Sequence, residues 1–283
     1  MHHRIPHLLA ALTLATPLLA TADPLYTVTT VAGAGSEAHD LNILGQVVGS
    51  MAVNGQDHAF VSSGSSPTDL GTLGGISSWA SSINDHGQIV GNYYVDDLNY
   101  RGFIVDGGSM SALPGGAWAY AINNAGTVTG EMSVSAPDGN GDHAYTYSGG
   151  AFTDLGTLSS SYGSRGFGIN NAGDVVGAAE IDGPIYYPTD PFLSHNGRMT
   201  DLGALDPDHI YSGANAINDH GQIVGYAGLN YNLTYAGAYF AFTAFLYENG
   251  VMKDLGGLAL GLTDRRVFER DDEPSLDSEE QTA

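Results

Sequence analysis

The chain has no cysteine, a single lysine (Lys253) and, beyond its first twenty residues, no long apolar run. Without cysteine there are no disulfide staples, so packing between side chains must carry the stability of the fold. Eight Lys and Arg stand against 31 Asp and Glu, a formal net charge of −23. A basic stripe able to neutralise nucleic-acid phosphates is therefore excluded, and an anionic membrane surface is disfavoured for the same reason. Such acidity serves solubility or cation binding. No Ser-His-Asp spacing, Gly-rich phosphate loop or zinc motif is present, so the sequence names no reaction.

What the chain does contain is a phrase said five times, Ile-Asn-x-x-Gly-x-Val-Val-Gly with small variations. Its asparagines are Asn42, Asn84, Asn123, Asn170 and Asn218, spaced by 42, 39, 47 and 48 residues. Repeats of this length indicate a propeller or a related array in which each unit buries its neighbour's face. Asn-x-x-Gly between two apolar runs is a hairpin signal: the Asn side chain caps its own turn and Gly takes the left-handed conformation without steric cost. A Gly87→Val or Gly221→Val change is expected to force that conformation on a β-branched residue. His86 and His220 fall inside these turns and read as exposed turn residues.

Two further landmarks recur in phase. Asp-Leu-Gly appears at Asp69, Asp154, Asp201 and Asp254, with Ala112-Leu113-Pro114 as a degenerate copy. A strand ending in an aromatic appears at His58-Ala59-Phe60, Arg101-Gly102-Phe103, His143-Ala144-Tyr145, Asp190-Pro191-Phe192 and Thr243-Ala244-Phe245. One aromatic per unit is what a core between units needs. His-Ala-Phe, then Asn249-Gly250-Val251-Met252-Lys253-Asp254-Leu255-Gly256 and its partner Asn196 to Gly203, then the Ile-Asn phrase, together resemble the bacterial extracellular HAF-repeat family. The resemblance covers roughly Tyr26 to Leu262. It implies a secreted, β-propeller-like protein and no particular activity. His fills the first position in only two of five units, so it is no catalytic requirement of the repeat.

Each unit carries four stretches of strand character. Counting from Tyr26–Val31 in the place of the Asp-Leu-Gly strand, the chain reads as an all-β, propeller-like array of about five four-stranded antiparallel blades. Val251 to Leu258 is left over as the opening of a sixth. An open curved stack of the same hairpins is the structural rival. Residues 1–22 read as a signal peptide: Arg4 and three histidines, the apolar stretch Leu8 to Leu19, and the small-x-small site Ala20-Thr21-Ala22. The repeat domain is then 23–262, with no membrane-spanning segment, and 263–283 is an acidic tail of disordered composition. This places the protein outside the cytoplasm, in the periplasm or beyond.

In a four-stranded meander alternate connections share a face. The tight Asn-x-x-Gly turns and the short Gly turns occupy one, and the variable, aromatic connections the other. The latter hold Tyr93, Tyr94, Tyr100, Tyr186, Tyr187, Tyr231, Tyr235 and Tyr239, and also Trp79 and Trp118. Insertions of this kind cluster on the binding face of repeat proteins. Aromatic rings can stack on the apolar face of a sugar while carboxylates accept its hydroxyls. Trp79 and Trp118 also suit a core between blades. Asp138, Asn140 and Asp142 resemble the start of a calcium loop, but His143 and Gly149 stand where its Gly and Glu belong; a bare turn is the other reading. No other cofactor is called for. The expected role is a binding or scaffold module, without catalysis, for a glycan or a cell-surface protein. A carbohydrate-active enzyme on the same fold and a purely structural envelope or matrix component are the alternatives.

Overall fold

The computed structural model describes residues 30–257 except 65, 98, 137–138, 160–162, 183–187, 206–208 and 230–241. Among the described residues twenty strands succeed one another in chain order. The first blade is β1 (Glu37–Leu41), β2 (Val47–Val53), β3 (Gln56–Ser62) and β4 (Thr68–Gly71). The second is β5 (Ser77–Ile83), β6 (Ile89–Asp96), β7 (Asn99–Asp106) and β8 (Ser109–Ala112). The third is β9 (Trp118–Ile122), β10 (Val128–Ala136), β11 (Gly139–Ser148) and β12 (Ala151–Asp154). The fourth is β13 (Ser164–Ile169), β14 (Val175–Glu180), β15 (Thr189–His195) and β16 (Arg198–Asp201). The fifth is β17 (His209–Ile217), β18 (Ile223–Leu229), β19 (Phe242–Glu248) and β20 (Val251–Gly257). Within each blade the strands pair antiparallel in order. One parallel bridge, Thr189 to Tyr211, joins the fourth and fifth sheets.

Five four-stranded blades match the expected count, but their phase differs from the sequence reading. The Asp-Leu-Gly strand closes a blade instead of opening the next one. The motif itself supplies the reason. Asp69, Asp154, Asp201 and Asp254 each accept, through Oδ1, the backbone N–H of the Gly two residues on, at 2.7–2.8 Å. Those glycines have φ between 74° and 92°, so the motif is an Asx turn in the last strand of a blade: β12 and β16 end at its Asp, and β4 and β20 shift register across it. Val251 to Gly257 is accordingly the last strand of blade five, not the start of a sixth. Of the stretch Tyr26–Val31, residues 26–29 lie outside the described residues, and Thr30 and Val31 are not in a strand.

The closing glycine of the Ile-Asn phrase is explained by the recurring aromatic. The repeat glycines Gly49, Gly91, Gly130, Gly177 and Gly225 sit directly across from Phe60, Phe103, Tyr145, Phe192 and Phe245, and all five rings are fully buried. On the other side, the first strand of each blade carries a register irregularity. It brings a carbonyl so close that a Cβ on Gly177 would lie 1.8 Å from the Arg165 oxygen, and one on Gly91 2.6 Å from Phe103 Cζ. Glycine is therefore required by close approach, not by a left-handed backbone.

The first strands stack on one another around the inside of the array. Four apolar clusters fill the four joins. Between blades one and two, Val48, Ala59, Val61 and Leu70 meet Ala80, Ile83, Ile89 and Val105; the other three joins repeat this pattern. A polar girdle runs alongside. Each repeat Asn accepts N–H groups of its own turn through Oδ1, as expected. Its Nδ2 also donates to the backbone carbonyl of the next repeat Asn: Asn42 to Asn84, Asn84 to Asn123, Asn123 to Asn170 and Asn170 to Asn218. The following residue adds a second rung. The N–H groups of Ile43, Asp85, Asn124 and Asn171 donate to the side-chain oxygens of Asp85, Asn124, Asn171 and Asp219.

Serine staples reinforce two joins. Ser78 Oγ accepts the N–H of Ala59 and donates to the Gly71 carbonyl, and Ser164 does the same with Ala144 and Gly156. The equivalent Ser212 is fully buried, and its Oγ has no hydrogen-bond partner among the described residues. The position that would donate to it is Pro191, which has no N–H.

Candidate binding surface

Three first strands build the surface. In β5, β9 and β13 alternate residues point the same way, and the positions five and three before the repeat Asn are Trp79 and Ser81, Trp118 and Tyr120, and Arg165 and Phe167. The flanking residues are small and buried, among them Ala80, Ala119, Gly166 and Gly168, so the large side chains on this face stay half-exposed. The neighbouring hairpin contributes Tyr94 from β6 and Tyr100 from β7, which pair directly across the ladder.

The rings form one unbroken run. Trp79 touches Tyr94 with centroids 5.4 Å apart, and Tyr94 meets Tyr100 edge to face at 5.2 Å. Tyr100 meets Trp118 edge to face across the join of blades two and three. Trp118 continues to Tyr120 at 6.1 Å, and Tyr120 to Phe167 in blade four at 5.7 Å. Tilted and edge-on pairs suit the aromatic quadrupole and hold each ring in one orientation.

A fixed ion pair sits beside the far end of the run. The buried Glu131, opposite Trp118 in the ladder, accepts Arg165 Nε at 2.6 Å and the Tyr120 hydroxyl at 2.9 Å, one on each carboxylate oxygen. Burial, followed by the charge and hydrogen bond of Glu131, pushes the Tyr120 hydroxyl above its usual range. Burial alone would lower Arg165; the charge and hydrogen bond of Glu131 outweigh it and raise it. Tyr100 is raised by burial, then by Tyr94, Glu131 and Asp142. Tyr100, Tyr120 and Arg165 therefore stay protonated; Tyr120 spends its proton on Glu131, and Tyr100 and Arg165 present donors. The Tyr145 hydroxyl donates to the Trp118 carbonyl at 2.6 Å, which anchors the indole from behind.

The structure places the expected residues unevenly. Trp79, Tyr94, Tyr100 and Trp118 come together, but in strands instead of loops. Tyr93 does not join them: its side chain points to the opposite face of β6 and is buried in the core between blades one and two. Tyr186, Tyr187, Tyr231, Tyr235, Tyr239 and Asp138 lie outside the described residues. Asn140 and Asp142 belong to β11, in regular register with Ser135 and Ser133, and Asp142 accepts the Ser133 hydroxyl. An extended strand spreads these residues along its length, whereas a calcium loop must wrap around its ion. Among the described residues no group of three His, Asp or Glu side chains is placed to hold a metal. Sequence reading missed Tyr120, Glu131, Arg165 and Phe167. The signal for three of them was available: Tyr120 and Phe167 share the strand face of the tryptophans by period two, and Arg165 occupies the position of Trp79 and Trp118.

Two of the recurring acids have partners that the repeat explains. His58 and His143 each face the Asp of their Asp-Leu-Gly strand, Asp69 and Asp154, at 3.0 Å. In blade four the His position is Asp190, and burial together with the facing charge of Asp201 pushes its carboxyl up to about 6.

No family model matches the chain, and no curated protein matches it. Solved structures do. The β-propeller domain of the Trilobed protease from Pyrococcus furiosus, described as having an open velcro topology, is similar over 78% of this chain and 69% of its own, at 10% identity and a TM-score of 0.53. TolB from Acinetobacter baumannii is similar over 75% of this chain and 53% of its own, at 10% identity and a TM-score of 0.48. At such identity the likeness speaks to architecture alone. The protein is an all-β, propeller-like array of four-stranded antiparallel blades.

Proposed function

We propose that this protein is an exported binding module, its export being what the HAF-repeat resemblance implies, and that it holds a polysaccharide along the run of rings from Trp79 to Phe167. The single observation that carries this reading is the continuity of that run across three blades, ending at a half-exposed arginine fixed by a buried carboxylate. Stacked rings offer successive platforms for the apolar faces of sugar units. Arg165 and the Tyr100 hydroxyl offer donors to hydroxyl or carboxylate oxygens. Glu131 acts as an anchor in this reading and not as a proton donor, because both of its oxygens are engaged.

A glycan array that includes bacterial exopolysaccharides, run with and without calcium, tests the proposal. Selective retention is expected, with an affinity lowered about tenfold or more in Tyr100→Ala and folding preserved by circular dichroism. Retention unchanged in Tyr100→Ala and in Arg165→Gln would overturn it. Release of new reducing ends from a retained polysaccharide would move the assignment to a carbohydrate-active enzyme. Absence of binding to every glycan would leave the structural role.

A further inference from the structure

The two ends of the array carry the two halves of the contact that the inside makes four times. On the forward side, the residue before the repeat Gly is fully buried in blades one to four, as Val48, Val90, Thr129 and Val176, but Val224 in blade five is 43% exposed. Leu255, the counterpart of the packed Leu70, is 57% exposed. Asn218 is exposed, and among the described residues its Nδ2 donates only within its own turn, to Gln222. On the backward side, Leu41 is 67% exposed where its counterpart Ile83 is buried in the core with Leu70. Ile43, 81% exposed, stands where every later blade has the Asp or Asn that accepts the second girdle rung.

We infer that these end faces bind each other between copies: blade five of one molecule packs head to tail on blade one of a second copy. The four internal joins are the template, with Leu255 against Leu41 as Leu70 is against Ile83, and Asn218 donating to the Asn42 carbonyl. Residues 263–283 are rich in Asp and Glu and poor in apolar residues, chemistry unsuited to covering Val224 and Leu255. A head-to-tail contact does not consume itself, so assembly is open-ended. With a net charge of −23 on each copy, added salt should strengthen it.

The chain's lack of cysteine makes the test direct. Leu41→Cys and Leu255→Cys variants of the full chain, expressed in an exporting bacterial host, are oxidised separately, as an equimolar mixture, and as the double variant. The expected result is a mixed disulfide dimer from the mixture and a ladder of oligomers from the double variant, both reduced by an added Val224→Glu change on the same end face. In sedimentation, Leu255→Glu should weaken self-association about tenfold without lowering the thermal midpoint, since the residue is exposed. A double variant that gives only a cross-linked monomer would overturn the proposal in favour of closure within one chain. A protein that stays monomeric at every salt and concentration, with no cross-link in the mixture, would also overturn it.

Discussion

Single residues in this repeat do two kinds of work, and the sequence exposes only one of them. Glycines at the Asn-x-x-Gly turn are legible because their requirement is local: Gly87 and Gly221 have φ of 77° and 75°. Gly177 is also a repeat glycine, but its reason lies across the sheet, in the Arg165 carbonyl and the Phe192 ring, and no local pattern announces it. Asp190 is a similar case. Its raised carboxyl value of about 6 means that the folded state favours the protonated form. The stability gained is full below the ordinary carboxylate value and is lost as pH rises through about 6. Asp190→Asn should therefore be more stable than the parent at pH 7–8, by about 2 kcal/mol, with the gain vanishing near pH 4. Asp190→His should recover the pair seen at His58 and His143. Urea unfolding at the two pH values measures both; equal differences at pH 4 and pH 8 would refute the explanation.

At the scale of elements, four strands per unit could be read from the sequence, but where one blade ends could not. Asp-Leu-Gly looks like a strand opening because its Leu is apolar and its neighbours alternate. The side-chain bond from Asp69 to the Gly71 N–H reveals that it is an ending. The repeat Asn was likewise half legible: its turn-capping oxygen follows from sequence, whereas its forward-donating nitrogen needs the next blade. This separates two asparagines of identical local sequence role. Asn123→Ala removes a buried donor to the Asn170 carbonyl as well as the turn cap, and should cost about 2–3 kcal/mol. Asn218→Ala loses only exposed turn bonds and should cost about 1 kcal/mol or less. Denaturant midpoints of the two variants compare them; equal losses would mean that the girdle contributes nothing beyond the turn.

For the whole molecule, the aromatic surface was visible in composition but not in geometry. Trp79 and Trp118 could be placed by their distance from the repeat Asn, and Tyr94 and Tyr100 by their richness in tyrosine. Adjacent residues of a strand face opposite ways, and so of the two candidates Tyr93 and Tyr94 the first went to the core and the second to the surface. Glu131 carried no sequence signal, since a lone acid in a strongly acidic chain has none. The girdle has a further consequence. Each repeat Asn that reaches a neighbour donates forward to the next blade, and among the described residues no blade covers both ends. Blades two, three and four are therefore each supported from two sides, and blades one and five from one. In an array whose stability is a sum over nearest neighbours, opening should begin at the rims and advance inward. Amide protons of β2 and β18 should then exchange with solvent before those of β10, whatever their own hydrogen bonds. The protein would thus behave less as a single two-state body than as a short polymer of units, able to lose an end blade while the aromatic surface on its middle three stays intact.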